Sequence, residues 1–507
     1  MTSRRTFLQT LTAAAVAPLT ARGAAGKPNF LFVLVDDLGW RDLGCYGSTF
    51  YETPNLDRLA RNGMRFTDAY AACPVCSPTR ASIMTGKYPA RTGLTDWIPG
   101  RQHNKKTLRY MKLLPPAFEQ QMALEEVTLA EALRGGGYKT GFAGKWHLGT
   151  DEAFWPEHQG FDMNKGGWSR GSPYYRKHDF ATDTWYGDSG YVSPYKNPRL
   201  TDGPPGEYLT DRLATEASKF ILRQRDNPFL MYLAFYTVHN PMHGKKELVA
   251  KYKAKARAMG VDRVSPYITG KPWMDQPAPG HWRERVIQSY AEYAAMVESM
   301  DTNVGRVLDT LEHNGLGSNT VVIFMSDNGG LSTSEGSPTT NLPLRAGKGW
   351  LYEGGVREPL IIRWPGVTRP GSTCAEPVIS TDFYPTMLEI AGLPALPKQH
   401  ADGVSLVPLL RGARSLDREA IYWHYPHYSN QGDQPGGAVR VGDFKLIEYY
   451  EDMHVELYNV REDASETRNL AAALPEKAGE LRAMLHSWRE SVGAAMPAPN
   501  PNYKPGG

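Results

Sequence analysis

The chain has 507 residues, with 57 Lys and Arg against 54 Asp and Glu and a hydrophobic content of 41%. That length allows about three domains of ordinary size, or one large α/β domain with a smaller one, and the apolar fraction excludes wholesale disorder. A net charge of +3 lacks the strong basic excess of a nucleic-acid binder, and four cysteines cannot build a disulfide scaffold.

The first element is an address. Ser3-Arg4-Arg5-Thr6-Phe7-Leu8 precedes an apolar stretch from Leu11 to Leu19, and small residues follow through Ala25. The pattern predicts a signal peptide over residues 1–25 of the twin-arginine type, read by the export machinery for folded proteins, and hence a periplasmic or secreted bacterial protein. Its apolar part is far shorter than the ~20 residues of a membrane span, so no span is expected. Cleavage there would remove Arg4, Arg5 and Arg22, leaving 54 cations facing 54 anions. An anionic ligand would then have to be drawn by local charges.

From Asn29 to Val35 the chain is a continuous apolar run, the mark of a strand buried on both faces, and it stops at Asp36-Asp37. Adjacent carboxylates are costly in a core, so they belong at the strand's carboxyl end, where open α/β sheets bind ligands. Three more strands end the same way. Lys139 to Ala143 runs into Gly144-Lys145-Trp146-His147, Phe229 to Tyr236 into His239-Asn240-Pro241, and Thr320 to Met325 into Ser326-Asp327-Asn328-Gly329. Between them lie predicted helices: one from an N-cap Thr53 to Gly63, one opened by the capping box Thr128-Leu129-Ala130-Glu131, and a long one over Arg285 to Asn314. Alternating strands and helices imply a large, mainly parallel sheet covered by helices on both faces.

A boundary near Asp402-Gly403 divides a large domain over 27–402 from a smaller α+β subdomain over 403–495. The latter reads as an antiparallel sheet built from Ile421–Tyr425, a hairpin of Ala438–Val441 and Phe444–Glu448, and Val455–Val460. A helix from Leu474 or Pro475 to Val492 completes it, and residues 496–507 read as a flexible Pro/Gly-rich tail.

Chemistry concentrates in Cys73-Pro74-Val75-Cys76-Ser77-Pro78-Thr79-Arg80. Cys73 and Cys76 have the spacing of a redox or zinc pair, but Cys45 and Cys374 are isolated, so zinc would need histidines from elsewhere. A structural disulfide or plain buried thiols are the simpler alternatives. Asp36, Asp37, Asp327 and Asn328 are all oxygen donors, the set preferred by a hard cation such as calcium or magnesium rather than zinc.

Cys76-x-Pro78-x-Arg80 with Thr85-Gly86 resembles the signature of the formylglycine-dependent (type I) sulfatases. Asp36-Asp37, Gly144-Lys145-Trp146-His147, His239, Asp327-Asn328-Gly329, Gly347-Lys348 and Glu353-Gly354-Gly355-x-Arg357 follow in that family's order, across nearly the whole chain after the signal. The resemblance implies an alkaline-phosphatase-like fold and a sulfuric ester hydrolase. Cys76 would be oxidised to Cα-formylglycine by a formylglycine-generating enzyme, and one calcium ion would be held by Asp36, Asp37, Asp327, Asn328 and residue 76. One hydroxyl of the hydrated aldehyde would attack sulfur, and the second would expel sulfate as the aldehyde reforms.

By the same resemblance, Arg80 would steady the nucleophile, and Lys145 and His147 would flank it, with His147 taking the proton of the second hydroxyl. His239 and Lys348 would bind sulfate oxygens and protonate the leaving oxygen, a task suited to histidine, and Asp327 is a further candidate base. The chain departs from the family at Val238-His239-Asn240-Pro241, which lacks the first proline of Pro-His-x-Pro, a change that bears on the reach of His239, with His243 nearby.

Asp96 and Trp97, and His424 and His427 in the small domain, are candidate sugar contacts, because polar aromatic clusters stack on sugar rings. The expected substrate is a sulfated carbohydrate such as a galactose or N-acetylgalactosamine sulfate. The rival readings are a phosphodiester or phosphonate monoester hydrolase of the same superfamily, and a non-catalytic sulfated-glycan-binding protein.

Overall fold

The computed structural model describes residues 26–101, 111–173, 177–179, 184–186, 190–269 and 283–504; the expected signal segment lies outside the described residues. Its main sheet is built from β1 (Asn29–Val35), β2 (Met64–Tyr70), β3 (Lys139–Gly144), β4 (Met163–Lys165), β5 (Phe229–Ala234), β6 (Thr320–Ser326), β7 (Arg357–Arg363), β8 (Ser372–Cys374) and β9 (Val378–Ile379). The order across it is β8-β2-β7-β6-β1-β5-β3-β4, with β9 also beside β2. β6, β1, β5, β3 and β4 run parallel, and β7 runs against both β6 and β2.

The reason lies in β1, whose seven residues are all buried. Leu31, Val33 and Val35 join one core layer with Leu213 of α4 (Leu209–Arg223) and Val304 of α5 (Ala291–His313). Phe30, Phe32 and Leu34 join the opposite layer with Ile83 of α2 (Cys76–Thr85), Leu133 of α3 (Leu129–Gly135) and Met387 of α6 (Phe383–Ile390). Successive strand side chains point to opposite faces, so a strand covered on both has no polar position until it ends. Helix α1 (Pro54–Asn62) closes the first of these layers through Leu56 and Leu59.

Two local expectations change. The helix expected from Arg285 begins at Ala291, because Arg283–Arg285 is instead a short strand paired antiparallel with Tyr267–Thr269. The Arg285 guanidinium donates to the Ser337 carbonyl and the Tyr267 hydroxyl, tying that strand to the loop after β6. Thr53 precedes α1, but its hydroxyl accepts from Gly44 N–H at 2.8 Å and donates to Asp57 at 3.2 Å rather than capping the helix. The Thr128–Glu131 box does form, at 3.1 and 2.8 Å.

The small domain is an antiparallel sheet of β10 (Ile421–Tyr425), β11 (Gly436–Val441), β12 (Phe444–Tyr449) and β13 (Val455–Asn459), packed against α7 (Pro475–Ser491). Its core is continuous with the large domain, joining Trp423, Leu446 and Leu481 to Tyr70, Val75 and Trp350. Buried charge crosses the junction: Lys445 lies 2.9 Å from Glu353 and 3.2 Å from Glu466, all three without exposed side-chain surface. The motif residues Glu353 and Arg357 therefore belong to the junction, where Arg357 also meets Asp68 at 2.9 Å. The tail is tied down through Ala498–Pro499, which pair with Leu113–Leu114, and through Asn500, which donates to the Met111 carbonyl at 2.7 Å. Among the described residues no helix is long and apolar enough to cross a membrane.

Candidate active site

Four parallel neighbours, β6, β1, β5 and β3, release their chains at one end of the sheet, and the site is built there. The ladder continues a residue or two beyond the strands: Asp36 N–H donates to Thr237 O at 3.0 Å, Val238 N–H to Asp36 O at 2.7 Å, and Asp327 N–H to Val35 O at 3.0 Å. Asp37 and His147 then turn into the left-handed region, with φ of 59° and 60°. Non-glycine residues held there are costly and gather at functional sites. Gly144, with φ of 117°, is required by sterics, since a Cβ there would lie 1.6 Å from the Ala234 carbonyl oxygen. That close approach lets Lys145 N–H reach the same oxygen at 2.8 Å and swings the Lys145 side chain beneath Asp36.

Three carboxylates face three cations inside the protein. Lys145 Nζ lies 2.7 and 2.9 Å from the Asp36 oxygens, with neither side chain exposed. Lys348 Nζ lies 2.7 and 2.9 Å from those of Asp37. Arg80, one turn into α2, donates from Nε to Asp327 Oδ2 and from Nη1 to the Lys145 carbonyl, each at 2.8 Å, with Nη2 3.7 Å from Asp36. Burial pushes the Asp36 carboxyl up against the pull of Lys145, with Asp327 and Asp37 adding to the rise. Burial would raise Asp37 too, but Lys348 and His239 outweigh it and hold that carboxyl well below the usual range.

Cys76 opens α2 and is buried, and burial pushes its thiol up despite Lys145 and Lys348. Its sulfur lies 3.4 Å from His147 Nδ1, while His147 Nε2 lies 2.5 Å from the Ile98 carbonyl oxygen. A carbonyl only accepts, so Nε2 carries the proton and Nδ1 turns its lone pair to residue 76. Burial, and after it Lys145, hold this imidazole well below its ordinary pKa and therefore neutral.

His239 is likewise oriented by a carbonyl, that of Asn240, 2.8 Å from Nδ1, which leaves Nε2 3.7 Å from Asp37 Oδ2. Burial and Lys348 bring its pKa down to about 3. Valine in place of the first proline does not withdraw it, because the Tyr191 hydroxyl holds the loop at the carbonyls of Tyr236 and His239, 2.7 and 2.8 Å away. His243 is anchored farther along, its carbonyl accepting from the Tyr208 hydroxyl at 2.7 Å.

The donor set fits a hard divalent cation. Ligand atoms of Asp36, Asp37 and His239 lie within 4.8 Å of one another. Asn328 donates from Nδ2 to Asp37 at 2.8 Å, which leaves its own Oδ1 buried with no hydrogen-bond partner. An orphaned amide oxygen among carboxylates is what a calcium-type ion would satisfy. Asp327, also considered as a base, has Oδ2 held by Arg80 and Oδ1 3.2 Å from Asp37 N–H, an arrangement suited to a fixed ligand. Cys73, Cys76, Cys45 and Cys374 are free thiols, and among the described residues none joins a group of metal-ligand side chains.

The expected sugar contacts divide. Asp96 accepts from the Tyr425 hydroxyl at 3.0 Å and from Trp97 N–H at 2.9 Å, and burial pushes its carboxyl up to about 7. Two residues on, Ile98 holds His147, so this loop borders the site while half-buried Trp97 packs on the small-domain core. His427 Nε2 lies 2.8 Å from the Thr95 hydroxyl, with its ring edge-on to Phe118. His424 is not brought to the cluster: its nitrogens lie 2.8 Å from the Tyr450 hydroxyl and 3.0 Å from the Ala495 carbonyl, inside the small domain. Sequence reasoning also missed Glu335, which lies in the loop after β6, half-buried and electrostatically coupled to Lys348 and Asp37. Nothing in Ser334-Glu335-Gly336 distinguishes it from an ordinary polar loop.

An oxygen-lined cradle at parallel strand ends, with clustered cations and a neutral imidazole aimed at one helix-terminal side chain, describes a hydrolase of anionic esters. The sequence profile of the sulfatase family matches residues 28–393, and that of the C-terminal region of N-sulphoglucosamine sulphohydrolase matches residues 346–491. A sulfatase of Formosa agariphila is 34% identical over 90% of this chain and 87% of its own length, and human arylsulfatase A is 34% identical over 83% and 75%. The crystal structure of Ps i-CgsB in complex with k-i-k-neocarrahexaose superposes with a TM-score of 0.71 at 27% identity, over 91% of this chain and 92% of that one. The chain belongs to the sulfatase family and is a sulfuric ester hydrolase of alkaline-phosphatase-like fold.

Proposed function

We propose that the protein removes sulfate from a sulfated carbohydrate, using an oxidised Cys76 and a calcium ion held by Asp36, Asp37, Asp327, Asn328 and residue 76. The observation that carries this reading is the His147 lone pair 3.4 Å from the Cys76 sulfur, beside a buried oxygen-donor cradle. The saccharide part is supported by the carbohydrate bound to Ps i-CgsB. The paired arginines near the N-terminus support export to the periplasm or beyond, and Cys76-x-Pro78-x-Arg80 supports maturation by a formylglycine-generating enzyme.

When present, the cation and the hydrated aldehyde at residue 76 supply, respectively, charge at the ester oxygens and a nucleophilic hydroxyl. The remaining work falls to this chain's own side chains. Lys145 neutralises Asp36 and Arg80 fixes Asp327, so the cradle keeps its shape without solvent. His147 Nδ1 accepts a proton from residue 76 while Nε2–H stays on the Ile98 carbonyl. Lys348 and His239 sit together at Asp37, where the Lys348 ammonium donates to sulfate oxygens and passes a proton to the departing alcohol, while neutral His239, its proton held on Nδ1 at the Asn240 carbonyl, presents the Nε2 lone pair to the same space.

The test is sulfate release from galactose and N-acetylgalactosamine sulfates, run beside 4-nitrophenyl sulfate, an aryl phosphodiester and an aryl phosphonate. Sulfated sugars should be turned over best. Phosphodiester hydrolysis faster by orders of magnitude, or tight sugar binding without turnover, would replace this reading with one of its rivals.

A further inference from the structure

Glu335 is an anionic group of this region that the reaction leaves unused. It sits in the left-handed region at φ of 53° in the loop after β6, and two segments converge on it. From the loop carrying His239, Asn240 Nδ2 donates to the Glu335 carbonyl at 3.0 Å and lies 3.5 Å from Oε2. From the small domain, Gln431 Nε2 donates to Oε1 at 2.6 Å. Burial raises its carboxyl, Lys348 pulls it down and Asp37 adds to the rise.

The Gln431 amide is itself locked. Its Oε1 accepts from the Ser429 hydroxyl at 2.8 Å, and its carbonyl accepts from the Trp350 indole and the Thr333 hydroxyl, each at 3.0 Å. Glu335 is thus held by two amide donors as an acceptor, one oxygen firmly engaged and the other only weakly. A carboxylate offers about four acceptor positions. Oε2 therefore retains capacity for a donor from outside the protein, beside the lysine and histidine expected to flank the ester oxygen.

We infer that Glu335 is a specificity determinant: its carboxylate accepts a hydrogen bond from an uncharged hydroxyl close to the sulfated carbon and repels substrates carrying a second anionic group there. The inference rests on the carbohydrate sulfatase reading and narrows it to sugars singly sulfated around the scissile position. Gln431 of the small domain acts here by fixing the rotamer of Glu335.

The experiment measures kcat/KM of the calcium-loaded, Cys76-converted enzyme for N-acetylgalactosamine 4-sulfate, 6-sulfate and 4,6-disulfate, with 4-nitrophenyl sulfate as a control for chemistry. Wild type should prefer whichever monosulfate it cleaves over the disulfate. Glu335→Gln should shrink that preference by about fiftyfold, the size expected of one unit charge acting on another at about 7 Å with an effective dielectric constant of about 20. Glu335→Asp, which keeps the charge, should retain the order of preference. Because the readout is a ratio, loss of folded or converted enzyme cancels. An equal change in both values for Glu335→Gln, with wild type active on sugars, overturns this inference alone. Wild type that cleaves 4-nitrophenyl sulfate but no sulfated sugar overturns the carbohydrate reading and the inference with it.

Discussion

Replacing Lys145 by methionine tests the charge cradle where its energetics are clearest. The side chains are of similar volume, so packing changes little. What is lost is the partner of Asp36, which lies 2.7 Å from Nζ with both groups fully buried. Breaking such a pair leaves a buried carboxyl that must stay charged without a partner or take up a proton, and typically costs about 3–5 kcal/mol, the lower end applying where burial already raises the carboxyl as it does for Asp36. Arg80 Nη2, 3.7 Å from Asp36, compensates only in part, so a loss of about 3 kcal/mol is expected in chelator. Urea unfolding reads it directly, and saturating calcium should return part of the loss by supplying another positive charge to Asp36. Adding Asp36→Asn should recover more than half of the stability while leaving turnover abolished. A loss below about 1 kcal/mol for Lys145→Met in chelator, or a double variant no more stable than Lys145→Met, would refute this reasoning.

Other perturbations separate chemistry from framework. Cys76→Ala should abolish sulfate release. Cys45→Ala should change kcat/KM by no more than about twofold, because Cys45 lies away from the site beside Asp57, and burial holds its thiol high and unreactive; equal damage from both would mean the wrong thiol has been assigned. His147→Gln should lower kcat by about 10²–10⁴-fold with a smaller effect on KM, the range of a lost general base. A pure KM effect would remove His147 from proton transfer. Asp433, pushed up to about 7 by burial, makes the folded state bind the extra proton. Its stabilising contribution is present at acid pH and lost as pH rises through about 7. Thermal melts between pH 6 and 8 should therefore fall less steeply for Asp433→Asn than for wild type; an unchanged slope would contradict the assignment.

Much of this site could be read from β1 and β6, because strands buried on both faces admit no polar residue until they end. That pattern alone puts Asp36, Asp37, Asp327 and Asn328 at one edge of the sheet. The side-chain pairing was not legible: that Lys145 takes Asp36 while Lys348 takes Asp37 depends on Gly144 approaching Ala234 and on the turn after β6. Periodicity misplaced the start of α5, since the pairing that holds Arg285 in a strand is formed with Tyr267 and Ser337. Composition could not distinguish sugar stacking from packing in the small domain, where His424 is hydrogen-bonded to the Tyr450 hydroxyl and the Ala495 carbonyl. The same limit hid Glu335, whose surroundings come from loops about 95 residues away on either side.

The most direct measurement is the mass of the peptide containing Cys76, taken from enzyme whose sulfate release from a sulfated sugar has just been quantified. Conversion of the thiol to the aldehyde lowers that mass by about 18 Da, and the converted fraction should rise in proportion to specific activity across preparations. Full activity with an intact thiol at residue 76 would contradict the proposed chemistry.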